Sequence, residues 1–119
     1  NMDSEYYSVP PSTATIINDA KSKRKKITVV GTSAIRTLET VVVSGFQITA
    51  KKGWTDKFIY PPYKFKMADR LITNFHQPQS TLMMLVSAFA DKEFIMDAYS
   101  EAIKKKYRFY SYGDSMMII

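Results

Sequence analysis

A chain of 119 residues is the size of one small domain, and its 45% apolar and 24% charged residues are ordinary for a globular protein, which excludes disorder as its general state. No apolar run approaches the roughly 20 residues of a membrane span, no basic, apolar and small-residue leader indicates secretion, and with no cysteine and one histidine, disulfides, thiolate metal sites and multi-histidine metal sites drop out. The 17 basic residues against 11 acidic, net +6, favour an anionic partner such as nucleic acid or phosphate.

The chain opens on Asn1 rather than on methionine, so it is expected to be a piece of something longer. Glu5-Tyr6-Tyr7-Ser8-Val9 reads as a short strand stopped by Pro10-Pro11. Ser12 or Thr13 is placed to cap a helix whose apolar stripe is Ile16, Ile17 and Ala20 and whose end is the basic run 21–26. Ile27-Thr28-Val29-Val30 reads as a buried strand. Gly31-Thr32-Ser33 then turns the chain into a helix with Ile35, Leu38 and Val42 on one face, closing at Gly45. Residues 46–56 carry no readable pattern. Lys57-Phe58-Ile59-Tyr60 reads as a strand ended by Pro61-Pro62, and residues 71–75 as another. Ser80 caps a helix apolar on most sides. A second helix carries Ile95, Ala98, Tyr99, Ala102 and Ile103, and ends in Lys104-Lys105-Lys106. Residues 108–112 alternate like a strand and break at Gly113-Asp114, and residues 115–119 are apolar again.

Alternating strands and helices predict an α/β fold with mainly parallel strands and flanking helices. In such folds ligands sit beyond the carboxyl ends of strands. Three polar clusters fall there: Gly31-Thr32-Ser33 with Arg36 and Glu39 nearby, then Asn74-Phe75-His76, then Ser111-Tyr112-Gly113-Asp114. Each also has an ordinary structural role. Thr32 and Ser33 cap helices, although helix N-terminal amides also bind anions. Arg36 and Glu39, three apart, form surface ion pairs. A lone loop histidine is commonly a structural hydrogen bonder, and Asp114 after glycine forms turns. The lysine runs complement helix dipoles or contact phosphates. Trp54, Tyr60, Tyr63 and Phe65 pack or stack on bases, with packing the commoner role. Met83, Met84, Met116 and Met117 read as gap-filling core. Spacing alone reaches as far as an α/β unit that binds an anion or nucleic acid.

Four strings carry more than spacing. DRLITNFHQPQSTLMMLVSAF (69–89), YRFYSYGDSMMI (107–118), GTSAIRTLE (31–39) and FIYPPYKF (58–65) together resemble the S-adenosylmethionine:tRNA ribosyltransferase-isomerases. Met2-Asp3-Ser4-Glu5 resembles the tail of a further family motif. Ala34, Pro62 and Gln77 depart from the family pattern.

The resemblance implies a role in queuosine biosynthesis. The ribosyl part of S-adenosylmethionine, a substrate rather than a resident cofactor, would move onto 7-aminomethyl-7-deazaguanine at the tRNA wobble position and rearrange to epoxyqueuosine, with adenine and methionine released and no metal required. It implies the C-terminal part of an α/β-barrel-like domain over residues 1–119, without the inserted β-barrel domain and the N-terminal strands. It also implies a cytoplasmic enzyme whose partners are tRNA and S-adenosylmethionine. The sulfonium acidifies its neighbouring carbon, so a base is needed there, and adenine needs a proton donor to leave. His76 and Asp114 are the titratable candidates for catalysis. Thr32, Ser33, Glu39, Thr73, Asn74 and Tyr112 are candidate polar positioners, and Arg36 or Arg108 could hold a carboxylate or phosphate. The competing reading is a non-catalytic RNA- or nucleotide-binding module. Taken alone, the chain is expected to be inactive, to have open strand edges and an apolar surplus, and to self-associate.

Overall fold

A computed structural model describes residues 3–77 and 79–119. Met2, in the match at the start of the chain, and Pro78, within the 69–89 string, lie outside the described residues. The elements run β1 (Glu5–Val9), α1 (Pro11–Ser22), β2 (Thr28–Val30), α2 (Thr32–Val41), β3 (Val42–Val43), β4 (Gln47–Ile48), β5 (Lys51–Thr55), β6 (Arg70–Asn74), α3 (Thr81–Phe89), α4 (Lys92–Lys104) and β7 (Ser115–Ile118).

The strand that positions everything else is β6. It pairs with β2 in parallel, Val30 beside Ile72, and with β7 antiparallel, Ile72 beside Met117. Asp69 sets the start of the parallel pair: its carboxylate accepts the Ile27 N–H at 2.8 Å and its own N–H donates to the Ile27 carbonyl at 2.9 Å. Side chains alternate across this sheet. The row Val29, Leu71, Ile118 is buried at 4, 0 and 7% exposure, in one core with Ile35 of α2, Leu85 and Val86 of α3 and Ile95 of α4. The neighbouring row Val30, Ile72, Met117 points the other way, and Val30 and Met117 are 66% and 54% exposed. One face of the sheet is thus core; the other carries this partly exposed apolar row between the polar pairs Thr28 with Arg70 and Asn74 with Ser115.

Two smaller antiparallel pairs complete the strands, β1 with β5 and the β3–β4 hairpin. Asn18 of α1 ties down the hairpin, its amide donating to the Ile48 carbonyl and accepting the Ile48 N–H. A groove of about 470 Å³ separates β1 from β2, lined by Tyr7, Val9, Ile17, Val29 and Leu38 among others.

Several expectations need correction. One strand pair is parallel and three are antiparallel, so the strands are mixed rather than mainly parallel. Two successive helices, α3 and α4, lie between β6 and β7 and return the chain so that β7 runs against β6. Residues 57–60 and 108–112 are not strands. The strand lies earlier, at β5, inside the stretch without a readable pattern. Helix α2 ends at Val41, and Val42 already pairs with Ile48, so Gly45 belongs to a hairpin loop instead of a helix cap. Pro10, not Ser12 or Thr13, stands at the N-cap of α1, and Ile16 is exposed. Ser80 does cap α3, accepting the Met83 N–H. Met83 is core, but Met84 and Met117 are exposed. Among the described residues no helix is long and apolar enough to cross a membrane.

Candidate functional site

Parallel pairing of β2 and β6 brings their carboxyl ends to one edge, and β7 begins at that edge. Gly31, just past β2, donates its N–H to the Ile72 carbonyl at 2.8 Å. Its φ of 93° is open to glycine and strained for other residues, and it turns the chain straight into α2. No side chain caps α2, so Thr32 and Ser33 do not have the capping role expected of them. The loop before β7 is tied to the end of β6 by the Tyr110 N–H donating to the Phe75 carbonyl at 2.9 Å, and more weakly by Asn74 Nδ2 to the Asp114 carbonyl at 3.4 Å. Tyr110 lies at φ 70°, a left-handed backbone that costs a non-glycine residue about 1–2 kcal/mol. Gly113 closes the same loop so tightly that a Cβ there would lie 2.5 Å from the Phe109 carbonyl oxygen.

These three chain segments enclose a cavity of about 730 Å³, whose walls include Thr32, Ser33, Thr73, Asn74, His76 and Ser111. Members of all three sequence clusters therefore meet at one place. His76 is held twice. Its Nε2 lies 2.7 Å from the Thr73 hydroxyl, and its backbone N–H donates to the Tyr99 hydroxyl at 2.8 Å. Burial pushes the imidazole below its ordinary pKa, since charge is costly in a partly desolvated site. A neutral histidine, hydroxyls and an amide suit a ligand recognised by hydrogen bonds more than by ion pairing.

The other predicted residues lie elsewhere. Arg36 and Glu39 do not form a surface ion pair. Both are buried, at 3% and 2% exposure, and face different partners. Arg36 pairs with the Glu5 carboxylate and donates to the backbone carbonyls of Asp3, Thr55 and Lys57, which stitches α2 to β1 and β5. Glu5 also accepts the Ser33 hydroxyl at 2.6 Å. Glu39 accepts from the Tyr63 hydroxyl and from the backbone N–H groups of Lys66 and Met67. Neither side chain lines the cavity. Asp114 shares the sheet edge with His76, but its carboxylate accepts the Arg108 N–H at 2.7 Å and lies 3.6 Å from the Arg108 guanidinium. That is the turn role its place after Gly113 predicts. Tyr112 is 99% exposed and, like Arg108 and Asp114, is not in the cavity wall.

Sequence reasoning missed Tyr99, Gln77, Ser80, Leu82 and Tyr110. The last four line the cavity, and Tyr99 anchors its histidine. Tyr99 read as one more apolar position on α4; no local pattern reveals that its hydroxyl reaches a backbone amide 23 residues away.

The model of the queuosine biosynthesis protein family matches residues 1–118. The chain is 55% identical over 117 residues to an S-adenosylmethionine:tRNA ribosyltransferase-isomerase of Macrococcus caseolyticus (strain JCSC5402), covering 98% of this chain and 34% of that one. It is 55% identical over 118 residues to the protein so named in Moorella thermoacetica, covering 99% and 34%. A crystal structure of S-adenosylmethionine tRNA ribosyltransferase from Thermotoga maritima superposes with a TM-score of 0.89 at 48% identity, over 96% of this chain and 40% of that one. The chain therefore spans about a third of the length of the curated relatives it matches. A family match along nearly the whole chain is reason enough to say that this chain belongs to the queuosine biosynthesis protein family.

Proposed function

We propose that this chain is the C-terminal part of an S-adenosylmethionine:tRNA ribosyltransferase-isomerase and forms one wall of its substrate site. The observation that carries the reading is the cavity of about 730 Å³ where the ends of β2 and β6 and the loop before β7 meet, in a chain 55% identical to proteins of that name. The substrates are S-adenosylmethionine and the wobble base 7-aminomethyl-7-deazaguanine of tRNA. The product is epoxyqueuosine with release of adenine and methionine, and the work is done in the cytoplasm, where tRNA is. Thr32, Ser33, Thr73, Asn74 and His76 bear on the bound substrate. Arg36 and Glu39 shape the wall from behind, and Asp114 with Arg108 fixes the loop.

An α/β-barrel-like arrangement follows if further strands of the longer protein fill the groove between β1 and β2 and cover the open row Val30, Ile72, Met117. By itself the chain then lacks part of the site and is inactive, and its open face drives self-association. The lysine runs at the ends of α1 and α4 are solvated cations that can contact tRNA phosphates.

The test is adenine release by the longer protein that contains this chain, supplied with S-adenosylmethionine and precursor tRNA. Adenine formed in step with tRNA modification is expected. Binding of tRNA without any adenine release would favour a non-catalytic RNA-binding module instead.

A further inference from the structure

His76 is the chain's one histidine, and its ring can carry its proton on either nitrogen. The choice is set by the hydrogen bond that the other nitrogen makes. Nε2 lies 2.7 Å from the Thr73 hydroxyl oxygen. Thr73 is buried at 4% exposure, and among the described residues its hydroxyl has no other hydrogen-bond partner. The direction of this bond follows from the proton count. If Nε2–H donated to the hydroxyl, the hydroxyl's own hydrogen would have no protein acceptor among the described residues and, on a side chain only 4% exposed, little solvent to bond instead, which is costly. If the hydroxyl donates to the Nε2 lone pair, both groups are satisfied. That direction requires Nε2 to be unprotonated.

The ring nitrogen left free for another partner is then Nδ1, on a residue that stands in the cavity wall. It makes no hydrogen bond among the described residues, and it is not sealed from solvent, since Arg70 Nε is the buried unpartnered side-chain nitrogen among them. We infer that Thr73 holds His76 as the neutral Nδ1–H tautomer, so that the histidine offers the cavity a hydrogen-bond donor, for a ring nitrogen of a bound purine-type base, and not a lone pair for abstracting a proton.

This deepens the proposed function and rests on it for the identity of the ligand. Of the two tasks that the reaction poses, proton removal beside the sulfonium and support for the departing adenine, it assigns His76 to the second. The step needs no proton transfer from the imidazole. As the bond from the ribose carbon to the purine breaks, its electron pair goes to the purine ring, the Nδ1–H hydrogen bond strengthens to meet that charge, and the proton that makes the product neutral adenine comes from solvent water. A neutral imidazole can act as such an electrophile. The Tyr99 hydroxyl, by accepting the His76 backbone N–H, keeps the ring in reach of Thr73.

The experiment is long-range 1H–15N correlation on the ¹⁵N-labelled chain without ligand, at a pH where the ring is neutral. The single histidine makes its signals unambiguous. A pyrrole-type shift for Nδ1 and a pyridine-type shift for Nε2 are expected. The Thr73→Val variant should move the tautomer ratio about tenfold toward Nε2–H, the equivalent of one hydrogen bond, while Thr73→Ser keeps the wild-type pattern. Nε2–H as the dominant form in the wild type overturns the inference, and so does a tautomer ratio unmoved in Thr73→Val. The wild-type spectrum alone decides if the valine variant fails to fold. Because nothing here is read from turnover, failure of the longer protein to release adenine would defeat the functional reading and leave the tautomer assignment standing.

Discussion

The hydroxyl of Tyr63 donates to Oε1 of Glu39 at 2.8 Å, joining the irregular segment after β5 to the last turn of α2. The same buried carboxylate takes the N–H groups of Lys66 and Met67, each at 3.0 Å. Burial, then the bond to Glu39 and its negative charge, push the Tyr63 phenol well above its usual pKa. Residues 63–67, a run of chain without regular secondary structure, are thus held by one side chain from a helix. Glu39→Ala would leave three donors without an acceptor and should cost about 3 kcal/mol or more. Glu39→Gln should recover part of it, because its amide oxygen can still accept from the Tyr63 hydroxyl and the Lys66 N–H while its NH₂ faces the Met67 N–H. Urea denaturation measures both, and a loss under about 1 kcal/mol for the alanine variant would refute the anchoring role.

Tyr99→Phe removes the acceptor for the His76 N–H but keeps the ring, which lies 5.2 Å from Phe75 and 5.6 Å from Phe109, centroid to centroid. The expected loss is about 1–2 kcal/mol, with faster hydrogen exchange at the His76 amide. Unchanged protection there would show that the hydroxyl does not hold the loop.

Burial lowers the His76 pKa below the usual 6.5, so between those two values the unfolded chain binds more protons at this site than the folded one. Stability therefore rises with pH across that window. The contribution is fully present above about 6.5 and is lost as pH falls through the folded value. His76→Asn should flatten the curve there, read as the difference between wild-type and variant unfolding free energies at pH 5 and pH 8. Parallel curves would contradict the shift.

The helices, and the strands β1, β2 and β6, were legible because their patterns are local: Ser80 before an apolar run, Ile95, Tyr99 and Ala102 at helical spacing, β-branched residues at 28–30; β7 was not, because the alternation at 108–112 drew the last strand there and 115–119 read only as apolar. What was hidden depends on distant partners. Strand β5, Lys-Lys-Gly-Trp-Thr, has little strand character of its own and exists by pairing with β1 almost fifty residues earlier. Residues 57–60 look like a strand, but their buried Ile59 sits in chain held by the contacts to Glu39 and Arg36. The site clusters at 31–33 and 74–76 could be found because each stands at the end of a strand; the one at 111–114 was placed after a run at 108–112 that is not a strand, and only Ser111 of it reaches the cavity. Arg36 and Glu39 read as surface charges, since charged side chains are seldom buried unless paired, and a helix of ten residues does not announce what packs against it.

The row Val30, Ile72, Met117 leaves apolar surface in water. The chain alone should self-associate through it at tens of micromolar, and Val30→Asp combined with Met117→Asp should give a monomer with unchanged secondary structure. Light scattering distinguishes the two. A monomeric wild-type chain would mean that this face tolerates solvent.

The most direct test of the account is adenine release by the longer protein, wild type against His76→Ala, with S-adenosylmethionine and precursor tRNA. Wild-type release is predicted, with kcat lowered roughly 100-fold in the variant, as for loss of one donor aimed at developing charge. No release by the wild type, or equal rates in the two proteins, would contradict the placement of the substrate site at the edge where β2 and β6 end.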